Sequence, residues 1–254
     1  MDKNRVGGLL HFSGFALHTM KLKEWVAPLV AINLAQHCGQ IFVYMFDGAG
    51  QEFEDFLWTI PQVKNILRED DITWGGHCRQ HLLYERSDAM FRAVDRPIDW
   101  ILYPDADELL PPQVLSQLDI ADATGKIYVE FPIVETRGIT KVVKDFGLEY
   151  MIWYWHCHAV RFDRGVKFEN SEGFCKPGSF AKLEKEAGQS LLYRSVYPMR
   201  HLRYDTVGLQ QARTDAGNQH ITYACRQDLE LGDYRPDKIF WEYYNEWQAL
   251  QNRK

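Results

Sequence analysis

An α/β fold is predicted, with a mostly parallel sheet flanked by helices, then a smaller mixed or antiparallel region and a C-terminal helix. Three observations carry this. Over residues 1–120, short apolar runs alternate with helical periods, the pattern of strand-helix-strand units. From Lys126 onward the pattern changes to strand-like pieces separated by loops rich in charge and glycine. The 254 residues are 46% hydrophobic and 25% charged, which allows a core without staples and excludes disorder and collagen-like repeats.

The elements follow in order. Val6 to Phe12 reads as a first strand. Leu22, Val26, Leu29, Val30 and Leu34 then fall at helical spacing, with Pro28 setting a helix start or a kink. Ile41 to Phe46 is a continuous apolar run of strand length, the signature of a strand buried on both faces, and it ends in Asp47-Gly48-Ala49-Gly50. A helical stretch over Gln51 to Trp58 precedes a short segment at Asn65-Ile66-Leu67. A third helix is expected from Arg79 to Val94, where Leu82, Ala89 and Ala93 share a stripe beside Leu83, Met90 and Val94. It leads to the strand Trp100-Ile101-Leu102-Tyr103 and then to Pro104-Asp105-Ala106-Asp107-Glu108. Further strands are read at Ile127 to Val134 and Tyr150 to Phe162, and Ile239, Phe240, Tyr243, Tyr244, Trp247 and Leu250 form the apolar stripe of a last helix. No repeat, low-complexity tract or Pro/Gly/Ser linker intervenes, so residues 1–254 read as one domain with a first half to residue 120 and a second half from 121.

Several function classes are disfavoured at once. The five cysteines are odd in number and contain no C-x-x-C pair, which argues against a disulfide framework or a zinc knuckle and fits a reducing cytoplasm. No apolar stretch approaches the ~20 residues of a membrane span, and no leader-like segment opens the chain, so a cytoplasmic protein is expected, in the host's cytoplasm for a phage-encoded one. A net charge of -6 argues against a protein that mainly coats nucleic acid, though a local basic groove is compatible with it. Neither G-x-G-x-x-G nor G-x-x-x-x-G-K-[ST] occurs, which disfavours a dinucleotide-dependent oxidoreductase or a nucleotide hydrolase.

The acidic residues Asp47 and Asp105/Asp107 fall just after the two most apolar strands. Ligands of open parallel sheets bind beyond the carboxyl ends of the strands, so both clusters should face one pocket. If the chain stays extended there, Asp105 and Asp107 point to one side and Ala106 and Glu108 to the other. Carboxylates sharing a side repel unless a cation joins them, and oxygen ligands suit Mg2+ or Mn2+. A diphosphate is the natural third party, since the cation would neutralise charge on a departing nucleotide. The competing reading is a solvated acidic turn.

These segments carry a resemblance. Leu22-Lys23-Glu24-Trp25-Val26, the run from Ile41 to Asp47, Tyr84 and Arg86, and Asp99 through Asp105-Ala106-Asp107-Glu108-Leu109-Leu110 resemble the family 2 type of GT-A glycosyltransferases, in the branch marked by Asp-x-Asp-Glu after an apolar strand. The resemblance implies a Rossmann-like GT-A fold and transfer of a sugar from a nucleotide-diphosphate donor, UDP-linked, with Mn2+ or Mg2+. It assigns Asp47 to the nucleotide base or ribose, Asp105 to the ribose or donor sugar, and Asp107 to the metal. His201, within Met199-Arg200-His201-Leu202-Arg203-Tyr204, resembles the late histidine that completes such metal sites. The chain departs from the family in its first loop, where Phe12-Ser13-Gly14-Phe15 replaces Asn-Glu.

Inversion at the anomeric carbon needs a carboxylate to take the acceptor's proton. Glu172 is preferred over Glu169 because Gly173 allows close backbone approach, and Asp205 is a further candidate. The stretch from Met151 to His158, with Trp153, Trp155 and the nearby Arg161, Arg164 and Lys167, interleaves aromatics with bases. It reads either as an acceptor platform, where rings stack on sugars or bases, or as a core strand. The pairs His156/His158 and His77/His81 lack further ligands at fitting spacing, so packed or surface histidines are favoured over zinc. The acceptor is expected to be a glycan or a hydroxymethylated DNA base, and the alternative function is a non-catalytic nucleotide-sugar-binding protein of the same fold.

Overall fold

The computed structural model describes residues 1–13, 26–46, 50–69, 97–137, 141–143, 152–162, 190–201 and 231–233, together with residues 89 and 188. After a 3-10 turn at Lys3–Arg5, strand β1 (Val6–Ser13) leads by way of helix α1 (Val26–His37) to β2 (Gln40–Phe46), and α2 (Gln51–Trp58) leads to β3 (Val63–Glu69). The chain then runs through β4 (Trp100–Leu102), β5 (Glu108–Leu109), α3 (Val114–Ala123), β6 (Tyr128–Arg137), β7 (Lys141–Val143), β8 (Ile152–Arg161), β9 (Leu192–Arg194), β10 (Met199–His201) and β11 (Leu231–Asp233). Of the expected helix at 79–94 only Ala89 is described, and it is helical; the expected helix at 239–250 lies outside the described residues.

The fold is mixed α/β, with a parallel part and an antiparallel part. β3, β2, β1 and β4 lie side by side in that order, all parallel. β8 pairs antiparallel with β4, and β6 antiparallel with β8. All seven residues of β2 are buried, as a run without polar alternation requires of a strand covered on both faces. Pro28 is the third residue of α1, where a missing N–H removes no intrahelical bond. Asn65, Ile66 and Leu67 form the middle of β3, a full strand.

Side-chain alternation divides the core between the two faces of the sheet. Val6, Leu10, Val43, Met45, Trp100 and Leu102 pack in one layer with helix residues, among them Val30 and Leu34 of α1, Leu57 of α2 and Leu118 of α3. Leu9, Phe42, Ile101, Tyr103, Tyr128 and Val160 form the opposite layer. α1 can lie this close to β1 because residue 8 is glycine: a Cβ there would stand 2.6 Å from Leu34 Cδ2 and 3.1 Å from Cys38 Sγ. α3 ends where Gly125 adopts φ +68°, and Gly125 N–H and Lys126 N–H donate to the carbonyls of Asp122 and Ala121.

This topology fixes where a ligand would enter. From β1 the chain steps outward to β2 and β3, then returns to β4 on the other side of β1. The strand order therefore reverses between β1 and β4, and the crevice at such a switch point opens at the carboxyl ends of the two strands. β10 closes the far side of that end, antiparallel to β5 and parallel to β6. Among the described residues, no helix is long and apolar enough to cross a membrane.

Candidate active site

The buried strand Trp100-Ile101-Leu102 delivers the chain to the switch point, and there it turns instead of continuing. Glu108 N–H donates to Asp105 O at 3.0 Å, closing a turn over Asp105-Ala106-Asp107-Glu108. Asp105 N–H donates to Glu108 Oε2 at 2.8 Å, so the last side chain of the turn caps its first amide. This corrects the expectation of an extended exit with Asp105 and Asp107 on one side: Asp105 is exposed, Asp107 is 8% exposed and Glu108 1%. The reason is the turn itself, which removes the two-residue alternation of a strand and folds both Asp107 and Glu108 inward.

Asp107 and His201 come together. His201 Nε2 lies 3.4 Å from Asp107 Oδ1, and both side chains are mostly shielded from solvent. The ladder between β10 and β5 sets this approach, because His201 is the backbone partner of Glu108, the neighbour of Asp107. A carboxylate oxygen suits Mn2+ or Mg2+, and an imidazole nitrogen beside it favours Mn2+ over the oxygen-seeking Mg2+; ligands at right angles on bonds of about 2.1 Å stand about 3 Å apart, close to this spacing. Among the described residues no group of three or more His, Cys, Asp or Glu is arranged to hold a metal ion. Among the described residues a cation here would find two ligands, Asp107 and His201, with water or phosphate oxygens able to fill further positions, as is common for Mg2+.

Glu108 and His158 form a second pair, beneath the turn. His158 Nε2 is 3.1 Å from Glu108 Oε2 with both side chains 1% exposed, and His158 Nδ1 is 3.3 Å from Tyr103 O. Burial by itself would lower the His158 pKa, but the charge of Glu108, its hydrogen bond, Asp105 and the Tyr103 carbonyl outweigh it and raise the value above the ordinary one. The pKa of Asp105 is raised as well, and here burial acts in the same direction as the neighbouring carboxylates. Enclosure by protein, then the charges of Glu108 and Asp107, push its pKa up to about 7, with His158 and His201 pulling it down. Because water reaches the residue, part of that effect is screened.

The register of β8 explains how His158 arrives there. Val129 faces Ala159 while Glu130 faces Cys157, leaving His158 as the extra residue of a β-bulge. A second irregularity follows between Pro132 and Val134, where the missing amide of Pro132 is tolerated. An extended exit would have put Glu108 on the side away from Asp107; the reading of His158 as a packed histidine agrees with the structure, but the sequence does not reveal its pairing with Glu108. The one readable signal is a histidine in a strand that reads either as core or as acceptor platform, alongside an acid next to the Asp-x-Asp.

The other expected site residues are placed differently. Trp153 and Trp155 lie on the part of β8 that runs past the carboxyl end of β4, since Ala159 faces Leu102 and Tyr103 N–H bonds to His158 O. Arg161 is not brought to the carboxylates. It faces Trp100 at the start of β4, paired with Asp122 and 6.0 Å from the centre of the Trp100 ring. Asp47, Glu169, Glu172, Asp205, His77 and His81 lie outside the described residues.

No protein-family model matches the chain, and no curated protein matches it. Solved structures similar to it include a 4-diphosphocytidyl-2C-methyl-D-erythritol synthase from Anaerococcus prevotii, 9% identical, with 85% of this chain and 97% of that one covered at a TM-score of 0.46. A protein assigned as a nucleotide-diphospho-sugar transferase from Desulfovibrio desulfuricans is 14% identical, with 98% of each chain covered at a TM-score of 0.40. The inositol-1-phosphate CTP transferase from T. maritima is 8% identical, with 83% of this chain and 97% of that one covered at a TM-score of 0.41.

Proposed function

We propose that this chain is a metal-dependent glycosyltransferase that moves a sugar from a nucleotide-diphosphate donor, UDP-linked, to a hydroxyl acceptor with inversion. The observation that carries the reading is the Asp107 and His201 pair, 3.4 Å apart at the carboxyl end of β4, where the sheet topology opens a ligand crevice. Asp107 and His201 would hold Mn2+ or Mg2+, which when bound would supply Lewis-acid neutralisation of the departing diphosphate. Asp105, exposed beside the pair, is suited to accept hydrogen bonds from the ribose or sugar hydroxyls of the donor. Asp47, following β2, is assigned to the nucleotide. In the transfer itself Glu172 takes the acceptor's proton as the acceptor oxygen bonds to the anomeric carbon. The bond from that carbon to the phosphate oxygen breaks, and the nucleoside diphosphate leaves with its electron pair. Trp153 and Trp155, on the extension of β8, are assigned to the acceptor, a glycan or a hydroxymethylated DNA base.

Incubation with Mn2+ and a panel of UDP-sugars tests the proposal. Slow nucleotide release by the wild type, lost in Asp107→Ala, supports it; no binding and no release with any donor overturns it. Saturable donor binding without turnover on either acceptor class favours a non-catalytic nucleotide-sugar-binding protein. Comparing glycans with modified and plain DNA at several salt concentrations separates the acceptors.

A further inference from the structure

Glu108 and His158 stand outside the pair assigned to the cation, yet they are the most deeply buried ionisable pair among the described residues. A buried ion pair seldom adds much net stability, because desolvation consumes most of the attraction. Their placement therefore calls for another explanation. One oxygen, Glu108 Oε2, serves two donors: the Asp105 backbone amide at 2.8 Å and His158 Nε2 at 3.1 Å. His158 is in turn tied to the end of β4 on two sides. Its carbonyl accepts from Tyr103 N–H at 3.0 Å, and its Nδ1 faces Tyr103 O at 3.3 Å. Both ring nitrogens thus face oxygens, and only the doubly protonated ring donates to both. The backbone of Glu108 pairs with that of His201 at the same time.

We propose that Glu108 and His158 are positioning residues: by anchoring the Asp105 amide and the base of the turn to β8, they hold Asp107 in front of His201. This rests on the reading of Asp107 and His201 as the cation-holding pair. Glu108 links all three elements, since its side chain fixes the turn, its ion pair reaches β8 and its backbone sets the register of β10. Removing either partner leaves the other buried and releases the turn without removing any atom of the cation-holding pair.

The test compares wild type, Glu108→Gln, His158→Gln and Leu57→Ala, the last a core truncation on α2 that lowers stability without removing any hydrogen bond or ion pair named in the turn. Amide hydrogen exchange at Asp105 is read relative to amides of β2, which normalises for global unfolding, and Mn2+ affinity in the presence of UDP is read by electron paramagnetic resonance. The expected result is a rise of tenfold or more in the relative Asp105 exchange rate and a tenfold or greater loss of Mn2+ affinity in both polar variants, with Leu57→Ala like wild type in both. If Glu108→Gln fails to fold, His158→Gln decides. Unchanged exchange and affinity in a folded polar variant, or equal losses in Leu57→Ala, overturn the proposal. A wild type that binds no Mn2+ overturns the reading of Asp107 and His201 instead, while the exchange ratio still decides whether Glu108 and His158 fix the turn.

Discussion

Asn33 of α1 clamps the chain immediately after the candidate site. Its side-chain amide donates to Leu110 O at 3.2 Å, and its side-chain oxygen accepts from Leu110 N–H at 2.8 Å, with both residues buried. Asn33→Ala removes both partners and leaves a donor and an acceptor of the backbone in a dry environment. At about 1–3 kcal/mol for each of the two orphaned groups, the expected loss is about 2–6 kcal/mol, a large part of a domain's usual stability. Urea unfolding followed by circular dichroism measures it as a lower midpoint with an unchanged slope. Asn33→Asp refines the reasoning. A carboxylate still accepts from Leu110 N–H but meets Leu110 O without a proton, so its folded pKa is raised, and protonation restores the lost donor. Its stability deficit should therefore shrink as pH falls below that raised value. A midpoint change in Asn33→Ala worth less than about 0.5 kcal/mol, the range of inert surface substitutions, would refute the claim that this clamp holds the segment.

Two further outcomes follow from the packing and the charges. Gly8→Ala forces a methyl group to within 2.6 Å of Leu34 and should cost about 1–3 kcal/mol in thermal or urea unfolding; a neutral effect would mean that α1 moves away from β1 freely. His37, at the end of α1, has its pKa lowered to about 4, first by burial and then by the charge of Lys3. Between pH 6.5 and about 4 the unfolded chain therefore takes up a proton that the folded chain refuses, so this contribution is fully present above 6.5 and lost as pH falls. At about 1.4 kcal/mol per pH unit the loss reaches about 3 kcal/mol, and His37→Gln should flatten the fall in an unfolding series across that interval. An identical pH profile in the variant would contradict the burial argument.

Most of the parallel half was legible because its strands are long or wholly apolar; β3, with polar and charged residues along its length, was legible only as a short segment at Asn65-Ile66-Leu67. Ile41 to Phe46 has no polar residue to suggest an exposed face, and it is a strand with paired neighbours on each side. The Trp100 strand was legible for the same reason. The turn at Asp105 was not, since its closure depends on Glu108 reaching back to the Asp105 amide, and nothing in Asp-Ala-Asp-Glu separates that turn from an extended exit. His158 was hidden by a bulge, which shifts a register that side-chain alternation assumes to be constant. β10 has three residues, too few for any periodicity, so His201 was singled out through a family resemblance; of its partner strands, β6 was legible as the run from Ile127 to Val134, and the two-residue β5 was not. Arg161 shows the converse error. Basic and aromatic residues adjacent in sequence suggested one surface, whereas its antiparallel pairing carries it to the opposite end of β4 from the carboxylates.

The most direct measurement is an anomalous difference map from a crystal grown with Mn2+ and UDP. A peak within bonding distance of both Asp107 and His201 is predicted, with diphosphate oxygens completing its shell. Nucleotide density elsewhere, or a Mn2+ peak that touches neither side chain, would contradict the assignment of this pair to the cation.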